Sequence, residues 1–285
     1  MIPASFEYAR PTTVDEALQA IADGGDDVKI MAGGQSLIPV MRLRLAAPET
    51  VVDLSRVAEL RGVRDDGDAI VIGAMTTHHD VMTDPLVLQY APLIAEATET
   101  VADRQVRARG TFGGALAHAD PAGDLPAVAL ALDAEFVIAG PGGRRTVPAS
   151  EFFVDYLTTA LEEGELLVEI RVPKLAGEWG MRYEKFNRVA QAWSIVAVAA
   201  VVRRENGQIA EARIGLTNMG STPLRASAVE AALAGADASP ETIAAAARSA
   251  AEGTSPTSDL NAQADYREHL AQVLTRRAVT AAAGL

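Results

Sequence analysis

With 285 residues, 49% of them apolar, the chain is long enough for two domains with sizeable cores, and its net charge of −13 argues against a nucleic-acid surface, where basic residues supply most of the affinity. It has no cysteine, which excludes disulfides, thiolate nucleophiles, Cys-ligated zinc and Cys-held iron–sulfur clusters; redox chemistry here has to use an organic cofactor. Four scattered histidines without HExxH spacing argue against a metal site, and the longest apolar run, 192–202, is far short of the roughly 20 residues of a membrane span. The first residues, MIPASF, carry no basic stretch followed by an apolar run, so the expected location is cytoplasmic.

In chain order, Thr12 or Thr13 caps a helix over 15–21, and Gly24-Gly25 ends it. Residues 28–32 read as a buried strand that runs into Gly33-Gly34, and 36–41 as a helix with Pro39 in its first turn. Strand, glycines and helix start are the order of a phosphate-binding segment. Residues 51–54 and 69–73 are further strands, the second preceded by an Asp66-Gly67-Asp68 turn. Apolar residues at helical spacing (Leu86, Leu88, Leu93, Ile94, Ala97) predict one surface helix over 85–101. A second glycine segment, 111–115, follows, and Asp124 stands as a candidate cap for a helix over 125–132 with Pro126 near its start. A strand over 135–139, a tight turn at 140–143 and a strand over 166–172 stopped by Pro173 complete this part.

The texture changes near Leu175. Strands over 181–186, 192–203 and 209–217, the last two joined by Asn206-Gly207, predict an antiparallel meander. Alanine-rich helices follow at about 224–234, 240–252 and 264–283. The expected division is 1–175, in two lobes of about 1–55 and 56–175, and 176–285.

Neither glycine segment fits GxGxxG, and no Gly-Lys-Ser/Thr follows either, which disfavours a nicotinamide Rossmann site and a P-loop. A dinucleotide still needs its diphosphate held, and backbone N–H groups do this where no Cβ blocks the approach. Two Gly-Gly pairs 80 residues apart, with Ser36 and Thr111 beside them as hydroxyl donors, suit that task jointly; singly, each pair also fits an ordinary turn. His78-His79-Asp80 has the composition of a base with an orienting carboxylate, but adjacent residues of a helix face different ways, so a structural or surface role is expected. The run from Asp103 to Arg109 can offer cations to an anionic cofactor or a partner, or be a solvated face.

AGGQSLIPVMRLRL (32–45), TFGGALAHADPAGDLPAV (111–128) and GELLVEIRVP (164–173) resemble the flavin-carrying medium subunits of the molybdenum hydroxylases, relatives of the flavin domain of xanthine dehydrogenase, and the resemblance spans nearly the whole chain. MIPASFEYARPTTVDEAL, VIGAMTTHHDV, IGLTNMGSTPLRA and DYREHLAQVLTRRAV are most similar to the aerobic molybdenum- and copper-dependent carbon monoxide dehydrogenase subgroup. The fold this implies is α+β: a two-lobed FAD-binding domain of the p-cresol methylhydroxylase and vanillyl-alcohol oxidase (PCMH/VAO) type, then a CO dehydrogenase flavoprotein C-terminal-like domain with a three-stranded antiparallel sheet and helices.

The resemblance places Lys29, Ile30, Met31, Ala32, Gly33, Gly34, Gln35 and Ser36 in the first FAD-diphosphate loop, and Thr111, Phe112, Gly113, Gly114 and Ala115 in the second. It gives Asp124 hydrogen bonds from the ribose or nearby backbone, Leu167 a place along the isoalloxazine or ribityl group, and His118 the positioning of the second loop. Lys185 would stabilise negative charge on reduced flavin, though a solvated strand lysine fits the same residues; Trp193 would stack near the flavin ring, though a core tryptophan also fits. Ala115 stands where the family often has asparagine and Phe112 where isoleucine or leucine is usual, so backbone donors are expected to suffice there. No tyrosine or histidine attachment signature is present, which implies noncovalent FAD. No substrate-oxidising residue and no metal ligand is assigned to this chain. The implied partners are an iron–sulfur small subunit and a molybdopterin large subunit in a dimer of heterotrimers, a heterohexamer able to lie at the inner face of the membrane. Electrons would pass to quinone, with carbon monoxide oxidised to carbon dioxide by the holoenzyme. The alternatives are a hydroxylase for an N-heterocycle, an aldehyde or a purine, and a stand-alone flavin-binding module.

Overall fold

The computed structural model describes residues 2–285 and arranges them around three main sheets. The first is parallel, in the order β1-β3-β2, from β1 (Glu7–Ala9), β2 (Val28–Met31) and β3 (Thr50–Asp53), with helices α1 (Val14–Asp23) and α2 (Leu37–Arg42) between them. Helix α1 starts where expected: Thr13 Oγ1 accepts from the Glu16 N–H at 3.1 Å, while Glu16 Oε2 accepts from the Thr12 N–H at 2.7 Å, a reciprocal cap. Val14, Ala17 and Ile21 then fall on one buried face. Strand β2 is only half-buried, not the buried strand its apolar residues suggested, because it is the sheet's edge strand and runs into the cavity described below.

The second sheet is antiparallel, in the order β4-β5-β10-β6-β7. It contains β4 (Val63–Asp65), β5 (Ala69–Gly73), β6 (Glu135–Gly140), β7 (Gly143–Pro148) and β10 (Leu166–Pro173). A two-stranded ribbon, β8 (Phe153–Asp155) and β9 (Thr158–Thr159), lies outside it. Between β5 and β6 the chain forms α3 (His78–Thr83), α4 (Pro85–Tyr90), α5 (Pro92–Glu99), α6 (Arg104–Arg107), α7 (Phe112–His118) and α8 (Asp124–Ala131); α9 (Ala149–Phe152) follows β7. Strand β10 carries a bulge between Leu167 and Glu169 that turns its alternation over. Leu166 and Val168 therefore join the cluster under α1, while Leu167, Ile170 and Val172 face the helices.

The single helix expected over 85–101 is two. Pro92 has no N–H to continue the ladder, and Ala91 leaves helical geometry at φ −142°, ψ 54°. Helix α5 is also more core than surface, with Leu93, Ile94, Ala95, Ala97 and Thr98 buried.

The third sheet, in the order β11-β12-β13-β14, has the three long strands expected, β11 (Trp179–Phe186), β12 (Val196–Glu205) and β13 (Gln208–Thr217), and adds the two-residue β14 (Leu224–Arg225). Asn206 (φ 52°) and Gly207 (φ 81°) make the left-handed hairpin turn their sequence promised. Strand β12 is apolar on both faces: Val196, Val198, Ala200 and Val202 pack toward α10 (Ser227–Leu233), α11 (Pro240–Ala246) and α12 (Ala264–Ala282), and Ala197, Ala199 and Val201 toward the helices of the second sheet. Helix α8, buried along its whole length, lies directly on β13, where a Cβ at Gly215 would stand 2.2 Å from the Ala127 carbonyl oxygen. The strand expected from residue 192 begins only at Val196, because residues 187–195 form a loop closed by the Ile195 N–H donating to the Phe186 carbonyl.

Candidate functional site

The three sheets meet around a cavity of about 720 Å³, within the range of small-molecule and cofactor sites. Both glycine segments line it, yet they are built differently. In the first, β2 ends and the chain turns through Gly34 at φ +75°, a left-handed value that glycine adopts without steric cost. Gly33 lies against the 109–110 backbone: a Cβ there would stand 2.3 Å from the Arg109 carbonyl oxygen and 2.7 Å from Gly110 Cα. Among the described residues, nothing accepts from the N–H groups of Gly33, Gly34, Gln35 or Ser36, and the Ser36 side chain, although at the N-cap of α2, makes no capping bond. Four adjacent backbone donors are thus left for a ligand.

The second segment is a helix start that its glycines hid from sequence reading. Thr111 caps α7, its Oγ1 accepting from the Gly114 N–H at 3.2 Å. The Phe112 N–H donates to the Thr76 carbonyl, Gly113 to that of Ala74, and Ala115 to that of Thr111. The expectation that backbone donors of this segment face the cofactor is therefore corrected for Phe112 to Ala115, whose N–H groups are all engaged within the chain; among the described residues nothing accepts from the Thr111 N–H or its hydroxyl hydrogen. The glycines serve packing instead, since a Cβ at Gly113 would lie 2.5 Å from Ala74 Cβ, and one at Gly114 2.6 Å from Thr111 Oγ1.

Asp124, 5% exposed, joins α8 to the third sheet. Its Oδ1 accepts from Tyr183 Oη and Ser194 Oγ, both at 2.6 Å, and its Oδ2 from Lys185 Nζ at 2.8 Å. It is not the helix cap, which is Gly123, and its oxygens take side chains rather than the nearby backbone. The Lys185 ammonium is buried and also donates to the Thr100 carbonyl at 3.1 Å, which rules out the solvated strand lysine. Burial and then the Asp124 carboxylate push the Tyr183 phenol well above its usual range, so it stays a donor. Asn218, left-handed at φ 63°, holds the loop end by donating to the Ser194 carbonyl at 2.8 Å, and the buried Arg267 guanidinium donates to the Ile195 carbonyl.

Trp193 is 54% exposed and lines the cavity, so it is not a core residue; its ring centroid is 6.5 Å from that of His118. His118 is half-buried with Nε2 3.9 Å from Asp120 Oδ2, and Leu167, turned inward by the β10 bulge, lines the wall. Of the residues expected at the site, Met31 and Phe112 are the two outside the cavity lining. Met31 packs with its sulfur behind the Gly34 turn, 3.5 Å from where a Cβ on Gly34 would stand, and Phe112 is buried in the helical core beside Ala74 and Leu116.

Tyr183 and Ser194, which hold Asp124 from outside the lining, and His78, which lines the cavity, were not singled out in advance. The first two come from 59 and 70 residues beyond Asp124, a distance no local motif spans. His78 was set aside with its neighbour, yet the two separate: His79 is exposed, while His78 is buried, lines the cavity and has its Nδ1 enclosed without a partner. Burial, then the Arg107 charge, pushes its pKa down to about 4. The available signal was the Thr77 cap, which puts His78 and Val81 on one inward face.

Residues 4–175 match the family model described as the FAD binding domain in molybdopterin dehydrogenase, and 181–282 that described as the CO dehydrogenase flavoprotein C-terminal domain. The carbon monoxide dehydrogenase medium chain of Hydrogenophaga pseudoflava is 44% identical, covering 99% of this chain and 98% of its own. The 6-hydroxypseudooxynicotine dehydrogenase complex subunit alpha of Paenarthrobacter nicotinovorans is 38% identical over 99% and 96% of the two chains. A chain of the solved carbon monoxide dehydrogenase from Hydrogenophaga pseudoflava superposes with a TM-score of 0.96 at 47% identity, covering 99% and 98%.

Proposed function

The chain belongs to the FAD-binding subunit family of the molybdopterin dehydrogenases, and from that premise we propose that it is the flavoprotein station of an aerobic carbon monoxide dehydrogenase complex. Electrons would come from an iron–sulfur small subunit and leave for an external acceptor, a quinone; carbon monoxide would be oxidised in a molybdopterin large subunit. With no cysteine of its own, the chain needs a partner to bring clusters to it. We place it in a dimer of heterotrimers in the cytoplasm, at the inner face of the membrane through the complex; no helix among the described residues is long and apolar enough to cross one.

The observation that carries the reading is the cavity with its four unengaged amides at Gly33–Ser36, backed by an absent Cβ at Gly33. These groups suit a diphosphate, which offers only acceptors to them. Bound FAD supplies the ability to take single electrons and release them in pairs. The chain's own residues would hold it noncovalently: the first glycine loop at the diphosphate, Leu167 and Trp193 along the ring, and Lys185 at the buried end. Lys185 spends two of its three N–H donors on Asp124 and Thr100, leaving one for the cofactor. Asp124 would act on FAD through Lys185, which it orients, while Tyr183 and Ser194 hold the carboxylate in place. We divide the chain into two domains, 1–175 and 176–285, a reading supported by the start of the third sheet at Trp179.

A second reading, a subunit serving a hydroxylase for an N-heterocycle, an aldehyde or a purine, draws on the full-length similarity to the 6-hydroxypseudooxynicotine dehydrogenase subunit. Purification of the native complex through a tag on this chain separates the two. Molybdenum, iron, copper and FAD together, with the flavin band bleached by carbon monoxide, are expected. Molybdenum, iron and FAD without that response would discard the substrate, and FAD on an isolated monomer would discard the complex.

A further inference from the structure

The second glycine segment, packed beside the first, lacks free amides from Phe112 to Ala115, since those N–H groups are engaged within the chain. One side chain close by is placed to supply a further donor. His78 opens α3, is 4% exposed, and is fixed by its backbone N–H donating to the Gly110 carbonyl at 2.9 Å. A neutral imidazole has one N–H and one bare nitrogen, and its surroundings choose which is which. Nδ1 is enclosed with no partner. A buried donor left unpaired is rarer in folded proteins than a buried acceptor, so Nδ1 is the bare nitrogen and the proton sits on Nε2.

That Nε2 edge is the one turned toward the cavity. A Cβ built on Gly110 would stand 2.9 Å from His78 Cδ2 and 3.2 Å from Nε2, and both His78 and Gly110 line the cavity. Gly33 meets Gly110 at the same place, its virtual Cβ 2.7 Å from Gly110 Cα. The imidazole N–H and the amides of the first loop therefore converge on one region.

We propose that His78 donates a hydrogen bond from Nε2–H to a diphosphate oxygen of the bound dinucleotide, adding to the donors of Thr111 and of the first loop one that neither glycine segment contains. The inference rests on the reading of the cavity as the FAD site. Burial and the Arg107 charge keep the ring uncharged, so it acts as a directional donor and not as a counterion. Thr111 accepts as a cap through its hydroxyl oxygen and keeps its O–H hydrogen as a second side-chain donor beside His78.

The test uses the full chain stripped of flavin, with FAD and riboflavin affinities read from flavin fluorescence for the wild type, His78→Leu and His78→Gln. Losing one hydrogen bond to a charged oxygen should weaken FAD binding roughly tenfold or more in His78→Leu, leave riboflavin binding unchanged and leave the melting temperature of the flavin-free chain equal or higher. His78→Gln, which keeps an N–H donor, should recover part of the loss. In the flavin-free wild type, a two-bond 1H–15N correlation of the four histidines should put the His78 proton on Nε2. FAD affinity changed by less than about twofold, an equal loss for riboflavin, or a proton on Nδ1 would overturn the proposal. The nitrogen spectrum decides even if His78→Leu fails to fold. A folded wild type that binds no FAD would remove the flavin reading itself, and this inference with it.

Discussion

The two Gly-Gly pairs look alike in sequence and do different work. At Gly33-Gly34 one glycine lets the chain close on the 109–110 backbone and the other supplies a left-handed turn, and the amides that follow stay free. At Gly113-Gly114 both residues are helical, both are needed for close packing, and the amides are consumed by Ala74 and Thr111. A glycine pair thus signals that a Cβ is unwelcome, not why. The reason is found by following each N–H to its acceptor.

Substitution can break this asymmetry. Gly113→Val would drive side-chain atoms into the Ala74 backbone and should cost about 3 kcal/mol or more, seen as a lower denaturant midpoint, while the folded fraction keeps its FAD affinity. Comparable in size is a pH effect from the second segment's side. The folded pKa of His78, about 4, lies below the unfolded value near 6.5, so the unfolded chain binds the extra proton between them. Its contribution is full above pH 6.5 and lost as pH falls to about 4, amounting to about 3 kcal/mol; urea titrations of the wild type and His78→Leu across that window should diverge by it.

Smaller effects sharpen the contrast. Gly34→Ala forces a Cβ into a left-handed residue and against Ile38, and should cost about 1–2 kcal/mol in stability, with FAD affinity falling further than stability explains. Thr111→Ala removes a working cap, for about 1 kcal/mol by thermal melting, and with it a free hydroxyl donor, so FAD affinity should fall further than the stability loss explains. Ser36→Ala touches an idle cap and should leave the melting temperature within the equivalent of about 0.5 kcal/mol, so any loss of FAD affinity there is direct.

Much of the fold was legible because its signals are local. The Thr13 cap, the Asn206-Gly207 hairpin and the meander it closes each occupy a few adjacent residues whose chemistry admits few alternatives. Most of the cavity lining was legible too, through motifs resembling a known family. What escaped depends on partners distant in sequence or on competing rules. Helix α7 starts on two residues of poor helix propensity that packing against Ala74 and Ala32 demands. The 85–101 pattern kept helical spacing across Pro92 and concealed a break. The engagement of Asp124 by Tyr183, Lys185 and Ser194 needed the third sheet to fold against α8 first.

The bulge in β10 works like an inserted letter in a text read two at a time. Up to it the even-numbered Leu166 and Val168 face the cluster beneath α1 and Leu167 the helical core; beyond it the even-numbered Ile170 and Val172 face the helical core instead. Deleting the single residue Val168 would restore an unbroken alternation with Ile170 and Val172 still facing the helices, and the cluster beneath α1 would lose the apolar side chain that the extra residue supplies and meet Glu169 in its place.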